Sequence, residues 1–353
     1  MRRLTLLLSC GLTASAIADD FPSAAIKASA LREKQFNTIT VTWKVTTYMP
    51  QGGRMELDPV GLPLPREDIT VESTHRLVLD GDRFRAEHND SGYRKQVQCD
   101  GDGIFTFDGE RSYHRMYLNG RDQPSVLIRN RSTLPAEFGG LTIRPLAMWC
   151  RGARLGPYHE SGWDRVHVSQ ADLEGERHIR LHLNGPAGSA TTFFLDPHRD
   201  YLVRRVRQES SSSVEVTDID YRQESEVGWV PERWTWTRTR DGERLVQRTR
   251  AQVTALNWKE PVDPAAFQLQ PLPGEDVADT DLNKSYRARP DGALDELDPS
   301  TGQAVPREPT SPGIPALPGR NLVRYVVLPL VLVALLALLV LRRRSRSRHT
   351  PSP

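Results

Sequence analysis

Apolar and polar residues alternate along most of this chain. Ile39, Val41, Trp43 and Val45 interleave with Thr40, Thr42, Lys44 and Thr46, the period-two pattern of a strand buried on one face. Similar alternation marks 70–80, 83–87, 104–107, 165–168, 177–183, 190–195, 201–207, 214–221, 233–238 and 244–256. Turn dipeptides punctuate these runs, among them Asp80-Gly81, Asp108-Gly109, Asn119-Gly120, Asn184-Gly185 and Asp241-Gly242. Gaps this short join antiparallel neighbours, because a parallel pair needs a crossover of a dozen residues or more.

Two stretches change period. Pro22 to Phe36 sets Ala25, Ile26, Ala30, Leu31 and Phe36 along one helical face, with Pro22 suited to an early helical position. Ile143 to Arg151, carrying Leu146, Met148, Trp149 and Cys150, predicts a short mid-chain helix. The expected fold is therefore mainly β: a curved antiparallel sheet capped by an N-terminal helix and a short mid-chain helix. A closed barrel and an open half-barrel produce the same pattern.

The ends of the chain are of another kind. Tyr325 to Leu341 is uncharged and apolar on every side, and Arg342, Arg343, Arg344, Arg346 and Arg348 follow it. At 1.5 Å per residue it spans roughly 25 Å, and Leu322 and Val323 extend it if Arg324 snorkels. Residues 322–341 are thus expected to be a single transmembrane helix, with 342–353 a basic cytoplasmic tail. At the other end Arg2 and Arg3 precede an apolar stretch from Leu4 to Leu12, and Ala16-Ile17-Ala18 fits a small-x-small cleavage site, giving a signal peptide over 1–18. Cys10 offers a competing reading as an acylated lipoprotein cysteine. Between domain and anchor, 278–321 holds Pro290, Pro299, Pro306, Pro309, Pro312, Pro315 and Pro318 among polar residues and is expected to be a disordered spacer. That leaves 19–277 as one β domain.

Charge follows the same division. The chain has 47 basic and 45 acidic residues; setting aside Arg2, Arg3 and the five tail arginines leaves 40 basic against the 45 acidic, a net of −5 for the exported part. A mildly acidic surface argues against nucleic acid as partner. Once Cys10 is removed, two cysteines remain, Cys99 and Cys150. They are a disulfide candidate in an oxidising compartment, or two free buried thiols.

Several motifs then carry a resemblance. A leading helix running into a long first strand, Phe193-Phe194-Leu195-Asp196-Pro197 before Tyr201-Leu202-Val203-Arg204, and a closing Asp263-Pro264-Ala265-Ala266-Phe267-Gln268-Leu269 with Pro271-Leu272-Pro273-Gly274 and Val277 resemble the LolA/LolB-type lipoprotein-carrier and sorting superfamily over about Pro22 to Val277. The resemblance implies an open half-barrel whose hollow holds acyl chains, and so lipid or lipoprotein acyl chains as partners. The carriers are soluble or lipid-tethered, whereas a C-terminal helix would fix this chain to the bacterial inner membrane, its domain periplasmic and its C-terminus cytoplasmic. Envelope sensing through a membrane protein partner is thus as open as transport.

A lipid-holding face needs apolar area beyond what a core requires. Trp43, Trp163, Trp229, Trp234 and Trp236 are the expected ligand-binding residues, with Trp258 a further candidate; ordinary core packing is the competing reading for each. Trp234 and Trp236 share one face of a strand. Chemistry is less visible. His178 and His182 share a strand face with Arg180 between them, which reads as a solvated polar face. Asp100-Gly101-Asp102-Gly103 opens like a calcium loop, but Ile104 and Phe105 replace its next ligand and glycine. Arg205, Arg207 and Arg222 read as an exposed face or as contacts to anionic headgroups. No GxSxG, Walker loop or dinucleotide fingerprint occurs. The expectation is a ligand-binding domain without enzymatic activity, catalytic residue, cofactor or metal; the alternative is a structural or protein-interaction ectodomain with no lipid ligand.

Overall fold

The computed structural model describes residues 6–52, 66–89, 103–117, 124–129, 143–152, 166–241, 244–298 and 300–305. The expected transmembrane helix and the end of the spacer lie outside them, in a separate unit over 306–353. No described helix is long and apolar enough to cross a membrane.

One open sheet of sixteen strands dominates. Helix α1 (Leu6–Gln35) leads into β1 (Thr38–Met49), β2 (Ile69–Asp80), β3 (Arg83–Asn89), β4 (Gly103–Phe107), β5 (Ser112–Tyr117) and β6 (Pro124–Arg129). Helix α2 (Arg144–Cys150) precedes β7 (Val166–Leu173), β8 (Glu176–Asn184), β9 (Ala190–Asp196), β10 (Leu202–Glu209), β11 (Ser213–Glu224), β12 (Gly228–Arg240) and β13 (Arg244–Asn257). Strands β14 (Asp276–Asp279), β15 (Lys284–Ala288) and β16 (Leu294–Leu297) close the order. Across the sheet the sequence is β16-β15-β14-β6-β5-β4-β3-β2-β1-β13-β12-β11-β10-β9-β8-β7. Two meanders therefore meet at the β1–β13 pair, which joins Thr46 to Arg250 and Val45 to Ala251.

Helices α1 and α2 cover one face, called here the inner face. Phe21 and Ala25 of α1 and Leu146, Met148 and Trp149 of α2 form one core with Val41 and Trp43 of β1, Leu77 of β2, Leu181 of β8, Leu195 of β9 and Trp234 of β12. Burial along β1 alternates in the way its sequence predicts. The face of α1 differs from the expectation. Phe21, Ala25, Ser29, Arg32 and Phe36 are buried, whereas Ala30 and Leu31 are exposed. Aromatic contacts set the rotation: Phe21 meets the Tyr201 ring edge-on at 5.5 Å, and Phe36 packs 4.2 Å from Trp149. Arg32 is held on that face by donating from Nη1 to the Asp200 carbonyl. Pro22 lies inside α1 rather than near its start, because the helix begins at Leu6.

A buried arginine ties the elements together. Arg151, just past α2, donates from Nη1 to the carbonyls of Phe36 and Cys150 and from Nη2 to those of Asn37 and Gly81. Its cation thus meets carbonyls at the C-terminal end of α1, where the helix dipole favours positive charge.

The C-terminal segment corrects two expectations. Residues 284–297, read as spacer, form β15 and β16, and β14 pairs in parallel with β6 in an otherwise antiparallel sheet. Few apolar residues are needed for this: Val277 and Leu269 pack with Val126 and Ile128, and Tyr286 and Leu294 join them. Backbone pairing supplies the rest, and Pro290 sits in the β15–β16 turn, where a fixed φ is useful. Buried Glu275 anchors the crossing to β5 through Arg115, whose Nε lies 2.8 Å from Oε1. The closing Asp263-Pro264 motif forms a 3-10 turn over Pro264–Phe267, capped by Asp263 Oδ1, which accepts from the Ala265 N–H. Fully buried Phe267 lies under Arg83.

Candidate functional site

Strand register sets the chemistry of the inner face. Trp43 on β1 opposes His75 on β2 and Val253 on β13. Trp234 on β12 opposes Ala251, itself opposite Val45, and Trp236 opposes Thr249, itself opposite Thr47. The topology thus brings Trp43, Trp234 and Trp236 onto one face although nearly 200 residues separate the two strands. The Trp43 and Trp234 rings lie 6.1 Å apart. All three side chains are no more than 1 % exposed, and the indole Nε1 of each has no hydrogen-bond partner among the described residues. Buried donors normally find acceptors, and burying a polar group without one costs roughly 1–3 kcal/mol.

Beyond Trp236 the same face turns polar where β12 and β13 meet β1. Thr47 and Thr249 hydroxyls meet at 3.2 Å. Gln247 is buried with Oε1 unpartnered among the described residues, and opposite it Arg238 pairs with Glu215 at 3.5 Å. Along β12 and β13 the face therefore grades from apolar packing, past Trp234 and Trp236, to a row of amide, hydroxyl and charged groups, while Met49, Ile69 and Val71 keep it apolar on β1 and β2.

Histidines border the indoles on the other side. His75 stacks on Trp43 and lies 6.0 Å from His88, whose register partner is Gly103. Burial, with a smaller contribution from the nearby His88, pushes the His75 imidazole down to about 3. His75 is neutral at physiological pH, with Nε2 2.8 Å from the Ser73 hydroxyl.

The other candidates fall elsewhere. Trp229 is five residues from Trp234 along β12, roughly 16 Å at strand rise; its carbonyl accepts from Trp149 Nε1 and its ring lies under Arg199. Trp258 lines a groove of about 260 Å³ with Glu224, Leu256 and Lys259. Trp163 and Cys99 lie outside the described residues. Cys150 is a free buried thiol, its pKa pushed up to about 11 by burial. Arg205 pairs with Asp218 and Glu174, Arg207 with Glu209 and Arg222 with Glu224, so these cations are already neutralised.

His75, His88, Gln247, Thr47 and Thr249 were not expected at a site. The signal for them is phase: each falls on the apolar phase of its strand, where a polar residue is out of place.

His178 departs from its reading as a solvated residue, for it is 3 % exposed. Glu176, His178 and Asp196 bring their ligand atoms within 4.8 Å of one another. His182, expected to share its role, is engaged separately by Thr192 and Asn184.

No family model matches this sequence, and no curated protein matches it. Among solved structures, the chain is similar to a protein domain from Vibrio parahaemolyticus described by outer membrane lipoprotein sorting, at 10% identity and a TM-score of 0.39, over 69% of this chain and 95% of that one. It is also similar to a DUF1329 family protein from Desulfovibrio piger, at 10% identity and a TM-score of 0.32, over 70% and 96% of the two chains. A conserved protein from Thermus thermophilus follows, at 10% identity and 0.30, over 72% and 97%. At such identities and TM-scores these likenesses carry nothing about ligand or activity.

Proposed function

We propose that this protein binds a lipid or acylated ligand on the inner face of its sheet, acting by binding and not by catalysis. The observation that carries the reading is the set of three buried indole N–H groups, on Trp43, Trp234 and Trp236, without an acceptor among the described residues, on one face of an open sheet. A ligand with an apolar chain and ester, amide or carboxylate oxygens would satisfy these donors while its chain lies along the rings. In this reading the sheet bends into a half-barrel around α1 and α2, and Gln247 and Thr249 mark its polar end. The address comes from the sequence. Removal of residues 1–18 would place Pro22 in the first turn of α1, where a proline costs little. Residues 322–341 would hold the domain at the periplasmic side of the bacterial inner membrane, for lipoprotein transport or for envelope sensing through a membrane partner.

The test uses the full chain in cells fed a photoactivatable fatty acid. Crosslinks to peptides containing Trp43 or Trp234–Trp236 are expected. Crosslinks confined to 322–341, with none in the sheet, would remove the lipid reading and leave a domain that contacts protein alone.

A further inference from the structure

We infer that Glu176, His178 and Asp196 form a binding site for a divalent transition-metal ion of the zinc type. The site is independent of the tryptophan face and of any lipid.

Two turns assemble it. Glu176 opens β8 and His178 follows two residues later, both on the same face of the strand. Asp196 ends β9, directly across from His178, since Ile179 pairs with Leu195. Asp196 Oδ1 accepts the His198 N–H at 2.8 Å and Oδ2 faces Arg199 Nε at 3.3 Å, so the carboxylate is fixed in place. His178 Nδ1 donates to the Glu176 carbonyl at 3.0 Å. In the neutral ring that bond leaves Nε2 with its lone pair, and Nε2 is buried with no partner among the described residues. A histidine whose one nitrogen is tied to a backbone carbonyl while the other stands free is the usual arrangement of a metal ligand.

Donor chemistry and charge agree. Imidazole nitrogen and carboxylate oxygen are both zinc ligands, and three protein ligands with the fourth position open to water is a recurrent zinc geometry. Two carboxylates against the single Arg199 cation leave a net negative charge, which a divalent ion reverses. Asp196 and His178 are buried and hold their positions, while exposed Glu176 has the freedom to rotate inward.

The experiment titrates zinc chloride into the full chain, purified in detergent without a polyhistidine tag, against a chromophoric chelator. One ion per chain is expected. His178→Ala, Asp196→Asn and Glu176→Gln should each weaken it at least about tenfold, since even outer partners of a metal-bound histidine are worth about 10–100-fold. His182→Ala should leave it unchanged. Glu176 is exposed, so E176Q keeps the fold and remains informative if H178A does not fold. Absence of stoichiometric zinc, or zinc retained at wild-type affinity by E176Q, overturns the site.

Discussion

The Trp43 indole and the His75 imidazole stack across β1 and β2, ring centroids 5.4 Å apart and planes 20° from parallel. The pair places a titratable ring against one of the fully buried indoles of the core, so proton uptake and packing are coupled there.

Acid stability follows from that coupling. The folded pKa of His75 is depressed from 6.5 to about 3 by burial. Above the unfolded value neither state binds the proton and the full stability is present. As pH falls below about 6.5 the unfolded chain takes up a proton that the folded chain refuses, and stability declines by up to about 1.4 kcal/mol per pH unit until the folded pKa is reached. Urea denaturation between pH 7 and pH 4 should show this slope, and His75→Phe, which keeps a ring on Trp43, should flatten it. An unchanged slope in that variant would assign the acid sensitivity to other groups.

Gly103 and His88 form a second coupled pair. A methyl group on Gly103 would overlap the His88 ring, so the absence of a side chain there is what lets His88 lie flat beside His75. Gly103→Ala should cost about 1–3 kcal/mol as an overpacking change. His88→Ala in the same chain should recover most of that loss, and a double-mutant cycle by thermal or urea unfolding measures the coupling. Additive losses would mean that the methyl group is accommodated elsewhere.

The long strands were legible because their alternation is set by local burial, and β1 carries it along its whole length. Strand β5 escaped notice because His114 and Arg115 interrupt its short run. Strands β15 and β16 escaped because composition counts apolar residues, and a sheet edge needs only a few, such as Ala288 and Leu294. The face of α1 was misplaced toward Leu31 because apolarity alone cannot see that Arg32 finds the Asp200 carbonyl and Phe21 finds Tyr201. At the site, spacing shows that Trp234 and Trp236 share a face. That Trp43 joins them depends on β1 pairing with β13, a contact between the two ends of the domain that no local pattern encodes.

Arg151 is expected to matter more than any surface ion pair. It is a buried cation whose guanidinium serves carbonyls from α1, α2 and the β2–β3 turn at once. Arg151→Met keeps much of the apolar stem and removes every donor, leaving those carbonyls unpaired in the core. The loss should be about 3 kcal/mol or more. Arg205→Met, whose partly exposed head pairs with Asp218, should cost under about 1 kcal/mol in the same assay.

Trp236→Phe separates packing from hydrogen bonding on the inner face. The substitution retains an aromatic ring between Thr217 and Thr249 and deletes an N–H that has no partner within the described residues. Removing an unsatisfied donor relieves a desolvation cost while the smaller ring opens some space, so unfolding free energy should change by less than about 1.5 kcal/mol. Ligand binding should respond differently. If a ligand oxygen accepts from Trp236, its loss weakens binding by roughly 0.5–1.5 kcal/mol, or about two- to tenfold. Crosslinking yield from the photoactivatable fatty acid, measured for W236F beside the wild type at matched stability, reads this directly. A lower yield with unchanged stability places the indole in contact with the ligand. An equal yield assigns the N–H no part in binding and removes Trp236 from the site.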